Sequence, residues 1–155
     1  MGKIHLHNLN FRIATLEDIP VLCELLIQLF SQEVEFVPDY EKHEKALKKI
    51  INDKNIGDIF VAVKEKKVIA MVNILYTIST ALGEKVAILE DMVVFDSFRN
   101  QNIGSQLINF TINYLKENSV KRVTLLTDGD NFNAHKFYEK QGFNKSSMIA
   151  FRKSL

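Results

Sequence analysis

Three apolar runs joined by short polar turns constrain the fold of this chain more than any other feature. The runs occupy residues 59–63, 68–78 and 86–95, and the turns lie at 65–67 and 82–84. Runs rich in β-branched and aromatic residues predict strands, and turns this short favour antiparallel hairpins. We therefore expect a three-stranded antiparallel meander in the middle of the chain.

Helical periodicity appears on both sides of this meander. Apolar residues recur at helical spacing in four segments. These segments predict helices over residues 19–30, 39–53, 104–117 and 131–141. Thr15 is the expected N-cap of the first helix, with Asp18 completing an approximate capping box.

Further short strands are predicted at residues 11–14, 122–126 and 147–153. The crossover from strand 86–95 through a helix to strand 122–126 favours parallel pairing. The full order is β α α β β β α β α β. It predicts one α/β domain over residues 1–155, with a mixed sheet and helices on both faces.

Composition and charge exclude several classes of protein. The 155 residues are 46% hydrophobic and 25% charged, which is an ordinary globular balance. The formal net charge of +1 gives no electrostatic case for binding nucleic acid or an anionic membrane. No unbroken apolar stretch exceeds five residues, and the first seven residues hold no long apolar stretch. We expect neither a membrane span nor a signal peptide, and a cytoplasmic location.

Cysteine and histidine are too sparse for a disulfide framework or a metal site. The lone Cys23 excludes an intramolecular disulfide and a multi-cysteine zinc site. His5, His7 and His43 lack metal-ligand spacing, so no metal is expected.

A strand-to-helix junction at residues 93–105 carries the clearest chemical signal. Unpaired N–H groups and the positive end of a helix dipole make such a junction a ready site for phosphate. Gly104 permits close backbone approach, Asn102 tolerates left-handed geometry, and Arg99 can add a charged donor. The alternative is that Gly104 only relieves a tight turn. The junction contains neither a dinucleotide fingerprint nor a Walker A loop.

Two motifs, one after the other along the chain, resemble those of the GCN5-related N-acetyltransferase (GNAT) family. The first reads RNQNIG at residues 99–104 and is similar to the family's R/Q-x-x-G-x-G/A, with Asn102 in place of the first glycine. The second reads NFNAHKFYEKQGF at residues 131–143 and is similar to N-x-x-A-x-x-[LF]-Y-x-x-x-G-F. Residues 11–18 also look like a common opening of the family. The resemblance implies an α/β (α+β) GNAT fold, with a mixed, mostly antiparallel sheet of six to seven strands and about four helices.

The resemblance also implies an activity. Members of the family transfer an acetyl group from acetyl-CoA to an amine by direct attack, so we expect an N-acetyltransferase with acetyl-CoA as co-substrate. The expected acceptor is a small cationic primary amine. Two alternatives stay open: a protein or peptide acceptor, and a non-catalytic module that senses acyl-CoA. A nucleic-acid-binding α/β domain is disfavoured by the near-neutral charge.

The resemblance implies that the two motifs bind acetyl-CoA, together with the predicted strand 86–95, which precedes the first motif. Backbone groups of that strand would bind the pantetheine arm and the thioester oxygen, although the same residues can equally be core. Asn131 and Asn133 could bind pantetheine amides or cap a helix, and Lys140 could meet phosphate or solvent. The residues assigned to the co-substrate are Met92, Val93, Val94, Arg99, Asn100, Gln101, Asn102, Ile103, Gly104, Ser105, Asn131, Asn133, Ala134, Phe137 and Lys140.

Three residues are candidates for the chemistry. Glu90 is the expected base and Asp91 the group that holds the acceptor amine, although the roles could be exchanged. Successive strand residues point to opposite faces, so at most one of the two faces inward unless a bulge intervenes. Tyr138 is the candidate acid for the leaving thiolate; the alternative is a core aromatic.

The acceptor itself is only hinted at. Residues 31–44 are rich in acids and interleaved with aromatic side chains, beside the expected acceptor cleft. Such a segment suits a cationic amine or a basic peptide, but it can also be a solvated loop. A homodimer through exposed edge strands is compatible with the sequence.

Overall fold

The computed structural model describes residues 8–33 and 35–155; the predictions made for residues 1–7, including His5 and His7, lie outside this part of the chain. Five strands and four α-helices make up the described fold. The strands are β1 (Leu9–Ile13), β2 (Gly57–Lys64), β3 (Lys67–Ser79), β4 (Glu84–Val94) and β5 (Val123–Leu125). The helices are α1 (Ile19–Ser31), α2 (Tyr40–Asn52), α3 (Ile103–Glu117) and α4 (Phe132–Lys140), with short 3-10 turns at Leu16–Asp18 and Asp96–Phe98.

The strands form one mixed sheet in the order β1-β2-β3-β4-β5. Neighbours pair antiparallel from β1 to β4, and β4 pairs with β5 in parallel. The meander and the parallel crossover through α3 are therefore present. Thr15 precedes a short 3-10 turn, and its N–H donates to Asp18 Oδ2 at 2.8 Å.

Two layers of helices cover the two faces of the sheet. Ile59 and Val61 pack in one cluster with buried residues of α1 and α2. Phe60 and Ala62, which alternate with them along β2, pack in a second cluster with buried residues of α3. Both faces of β2 are apolar because both are covered. None of the helices in the described residues is long and apolar enough to cross a membrane.

The prediction of a sixth strand is wrong, and so is the prediction of a sheet with six to seven strands. Across residues 8–33 and 35–155 the sheet has five strands. Residues 147–153 form no strand, and Met148, Ile149 and Phe151 are 87%, 81% and 93% exposed. A strand needs a neighbouring edge for its backbone hydrogen bonds. The neighbouring β5 provides an edge of only three residues. Arg152 lies elsewhere, ion-paired with Glu35 at 2.5 Å.

Candidate functional site

A bulge in β4 places two carboxylates side by side. Asn73 of β3 pairs with Asp91, but the next residue, Ile74, pairs with Leu89, so Glu90 is an extra residue in β4. A bulge of this kind breaks the alternation of side chains along a strand. Glu90 and Asp91 consequently line the same cavity. The alternation of side chains allows both carboxylates to face one side only if a bulge interrupts β4, and β4 contains such a bulge.

This cavity of about 250 Å³ lies between α1, α2, β3 and β4. Its polar end is formed by Asn73, Glu90 and Asp91. The remaining lining residues are mostly apolar: Leu26, Phe30, His43, Ala46, Leu47, Ile50 and Leu75.

Asp91 is the half-buried carboxylate of the pair, whereas Glu90 is exposed. Asn73 Nδ2 donates to Asp91 Oδ2 at 2.9 Å. Burial raises the pKa of Asp91 to about 6; the hydrogen bond from Asn73 opposes this shift, and the charge of Glu90 adds to it. A carboxylate with such a pKa is ionised at neutral pH and can still take up a proton there.

Asn73 belongs to this site although neither sequence motif contains it. It is 3% exposed, and its Oδ1 is buried without a hydrogen-bond partner among the described residues. A signal was available, because an asparagine inside the apolar run 68–78 must find partners in the core. Only the register of β3 and β4 shows that the partner is Asp91.

An acidic cluster is formed by Glu33, Glu35, Glu90, Asp91 and Asp128; of these, Glu90 and Asp91 line the cavity, and Glu35 is ion-paired with Arg152. Burial raises the pKa of Glu33, and the charges of the other four members raise it further. These acids lie on different segments, so only the tertiary structure brings them together. His43, which lines the cavity, adds little positive charge, because burial lowers its pKa and Asp39 opposes that shift only in part.

An open groove runs along the far half of β4. Strands β4 and β5 pair only where Ala87, Ile88 and Leu89 meet Val123, Thr124 and Leu125. Within the described residues, positions 90–94 have no partner in β5. Backbone groups of Met92 and Val94 that point away from β3 are thus available to another molecule, except that Val94 O accepts from Gln28 Nε2 at 3.0 Å. Val93 is buried in the core.

Tyr138 of α4 faces this groove. Its OH lies 3.8 Å from Met92 Sδ, and its ring packs edge-on against Phe137 and Phe143. Burial raises the pKa of Tyr138 to about 12, and the charge of Asp91 adds to the shift. The phenol is therefore protonated at neutral pH.

The start of α3 closes the other end of the groove. Asn102 adopts the left-handed conformation with φ 61°, and the first α-helical bond at this end joins Gln106 N to Asn102 O. The N–H groups of Ile103, Gly104 and Ser105 belong to the first turn, which has no internal acceptors. A Cβ on Gly104 would lie 3.0 Å from Met92 Cε, so this glycine also lets α3 pack close to β4.

The other predicted co-substrate residues surround this helix start. Arg99 is exposed and pairs with Asp96 at 3.0 Å, and Gln101 accepts from Lys64 at 3.2 Å. Asn100 has a left-handed φ of 62°. Ser105 Oγ accepts from Gln141 Nε2 at 2.8 Å, which ties α3 to the end of α4.

Residues of the second motif lie on or just before α4. Asn131 caps this helix, with Oδ1 accepting from Ala134 N at 3.2 Å. Ala134 and Phe137 are half-buried, whereas Asn133 and Lys140 are exposed. The described residues contain no group of three or more His, Cys, Asp or Glu that could hold a metal ion.

Comparison with known proteins agrees with this arrangement. Residues 20–143 match the model of the Acetyltransferase (GNAT) family. The chain is 25% identical to the aminoalkylphosphonate N-acetyltransferase of Salmonella typhimurium strain LT2, over 94% of this chain and 91% of that protein. A "possible acetyltransferase" from Clostridium difficile 630 has the same fold, with a TM-score of 0.87, 18% identity and coverage of 96% and 99% of the two chains. The aminoglycoside N-acetyltransferase AAC(6')-Iy, solved in complex with CoA, has a TM-score of 0.78 and 17% identity, covering 94% of each chain.

Proposed function

The chain belongs to the acetyltransferase (GNAT) family and is an N-acetyltransferase, and we propose that it transfers the acetyl group of acetyl-CoA to a small cationic primary amine by direct attack. The observation that carries this proposal is the position of the cavity. Its two carboxylates lie on β4 directly beside the open edge of that strand, and Tyr138 contacts the neighbouring Met92.

The open edge of β4 and the start of α3 support binding of acetyl-CoA. The free N–H groups of Ile103, Gly104 and Ser105, together with the guanidinium of Arg99, suit a pyrophosphate. The groove between β4 and α4 suits the extended pantetheine arm. Bound there, acetyl-CoA supplies the thioester carbonyl that the amine attacks, and a β4 backbone N–H can stabilise negative charge on its oxygen.

Asp91 is the better candidate for the base, which exchanges the two roles expected from the sequence. Its half-buried carboxylate, with a pKa of about 6, can accept the proton that the acceptor ammonium must lose. Glu90, next to it in the bulge, then holds the cationic acceptor. The N–C bond forms at the thioester carbonyl carbon, the C–S bond then breaks, and the thiolate takes a proton from Tyr138, which is protonated at neutral pH. The nitrogen loses its second proton as the amide forms, and a proton from solvent restores the phenol.

The acidic cluster supports a cationic acceptor. Its members Glu90 and Asp91 line the cavity, and their negative charge attracts an ammonium and repels an anion. This chain therefore differs in expected acceptor from its relative that acts on aminoalkylphosphonates.

The test combines binding with turnover. Acetyl-CoA is titrated by calorimetry, and thiol release is then followed with polyamines, aminoglycosides, amino acids, an aminoalkylphosphonate and basic peptides. The proposal expects binding, with turnover on small cationic amines. Turnover on peptides alone supports the protein-acceptor alternative, and binding without turnover on any amine supports an acyl-CoA sensor. Absence of acetyl-CoA binding would refute the proposal.

A further inference from the structure

Building on the proposed function, we propose that the acceptor is an alkyl primary amine without an anionic group, and that Asn73 Oδ1 and Asp91 together bind its nitrogen. The proposal concerns a residue outside both sequence motifs and narrows the acceptor from cationic amines in general to one chemical class.

In the part of the chain that the structure describes, Asn73 Oδ1 is a buried hydrogen-bond acceptor that no donor satisfies. A carboxylate can only accept hydrogen bonds, so the amide must turn Nδ2 towards Asp91 and leave Oδ1 free. A buried acceptor without a donor is unfavourable. Asn73 lines the cavity, so a donor placed there can satisfy it. An ammonium has three N–H donors, enough for Oδ1 and a carboxylate oxygen at once.

Beyond this polar end, the lining of the cavity is mostly apolar. Leu26, Leu47, Ile50 and Leu75 present apolar surface. Hydroxyl groups of a sugar would lose hydrogen bonds against such surface, whereas methylene groups are favoured there. Because a water molecule's share of liquid volume is about 30 Å³, a cavity of this size accommodates roughly eight non-hydrogen atoms. A short alkyl chain fits this volume.

The cavity offers little to pair with an anion. Among residues 8–33 and 35–155, no lysine or arginine lines it. His43 does line it, but its Nε2 accepts the N–H of Asp39 at 3.1 Å and burial keeps the ring neutral by lowering its pKa. A phosphonate or carboxylate on the acceptor would lie unpaired beside Glu90 and Asp91.

The experiment measures amine binding directly, with and without CoA present. n-Hexylamine, 2-aminoethylphosphonate and glucosamine are titrated by calorimetry into the wild type, Asn73→Leu and the control Asn10→Leu, which changes an exposed asparagine of β1. We expect n-hexylamine to bind the wild type and the control equally, and Asn73→Leu about ten- to a hundredfold more weakly. The phosphonate and the sugar should bind the wild type more weakly than n-hexylamine.

A second variant tests the alkyl part separately. Leu75→Ser places a hydroxyl in the half-buried wall and should weaken n-hexylamine several-fold. Equal affinity of n-hexylamine for the wild type and Asn73→Leu would overturn the inference. So would preference for the phosphonate or the sugar, or no binding of n-hexylamine at all. Acetyl-CoA affinity, measured on the same samples, tests the proposed function independently.

Discussion

Asn73 and Asp91 face each other in register across β3 and β4, and Asn73 Nδ2 donates to Asp91 Oδ2 over 2.9 Å. This pairing lies next to the bulge in β4. The Asp91 carboxylate is held by β3, a strand that contains neither sequence motif. The hydrogen bond favours the charged form of Asp91, while burial and Glu90 favour the neutral form. The pKa of Asp91, the proposed base, therefore depends on its burial, on the hydrogen bond from Asn73 and on the charge of Glu90, and substitutions can alter these separately.

The pH profile of turnover should report on these influences. A base with a pKa of about 6 is active when deprotonated, so kcat should fall as the pH drops through about 6. Asn73→Leu removes the bond that stabilises the carboxylate and should move this limb to higher pH. Glu90→Gln removes a neighbouring negative charge and should move it to lower pH. Steady-state rates at saturating substrate measure both shifts; shifts in the same direction would contradict the assignment.

Replacing the base itself should have a much larger effect than replacing its neighbour. Asp91→Asn keeps the shape of the side chain but cannot accept the proton, and we expect kcat to fall about 10²–10⁴-fold. Glu90→Gln should act mainly on the KM of the amine. Thiol release with a fixed amine measures both variants, and unchanged acetyl-CoA affinity shows that each is folded. A larger loss of kcat in Glu90→Gln than in Asp91→Asn would restore the roles first expected from the sequence.

Tyr138→Phe tests the proton donor to the leaving thiolate. Because its raised pKa keeps the phenol protonated, we expect kcat to fall about 10²-fold or more without its hydroxyl. The KM for acetyl-CoA should change little, since the ring still packs against Phe137 and Phe143. Phe143→Leu is the matched control, because it disturbs the same aromatic cluster without removing a proton donor. An equal loss in both variants would indicate a packing role for Tyr138.

The left-handed Asn102 can be tested by a pair of substitutions. Asn102→Gly should keep the stability of the protein and its affinity for acetyl-CoA, because glycine adopts φ near 61° without strain. Asn102→Val places a β-branched residue in that conformation and should cost about 1–3 kcal/mol of stability. It should also weaken acetyl-CoA, since the loop sets the direction of the first turn of α3. Thermal unfolding and calorimetry measure the two effects; equal behaviour of both variants would show that this backbone conformation is unimportant.

Acid stability should depend on the pair of Arg12 and Asp18. Arg12 donates two hydrogen bonds to Asp18, at 2.7 and 2.9 Å, and this interaction lowers the pKa of the carboxyl. A depressed folded-state pKa stabilises the protein above the ordinary value of about 4, and this contribution is lost as the pH falls through the lower folded-state pKa. Half of the Arg12 side chain is solvated, so we expect Arg12→Leu to lose only about 1 kcal/mol at pH 7. Urea unfolding at pH 7 and at pH 3 measures the difference, which should shrink at the lower pH.

The order and type of nearly every element could be predicted from local pattern. Apolar runs and helical spacing located the five strands and four α-helices of the described residues and added one strand that is not formed, and the short turns predicted the antiparallel order. The junction before α3 could be predicted because its signal, a polar loop with Asn102 and Gly104 before an amphipathic helix, is contiguous in the chain. The failed strand at 147–153 shows the limit of such signals. Local alternation shows that a segment can be a strand, whereas pairing also needs a strand edge beside it, which only the tertiary structure supplies.

The chain by itself determined which chemical groups are present and which elements carry them. Tyr138 could be named as a candidate because it lies in the second motif, and Glu90 and Asp91 because carboxylates inside an apolar strand run need a partner or a chemical role. Only the tertiary structure decided that Glu90 and Asp91 share one cavity, since this depends on a one-residue shift in pairing between β3 and β4. It also decided that Asn73 belongs to the site, because a hydrogen bond between residues eighteen positions apart follows from strand register, which local periodicity does not encode.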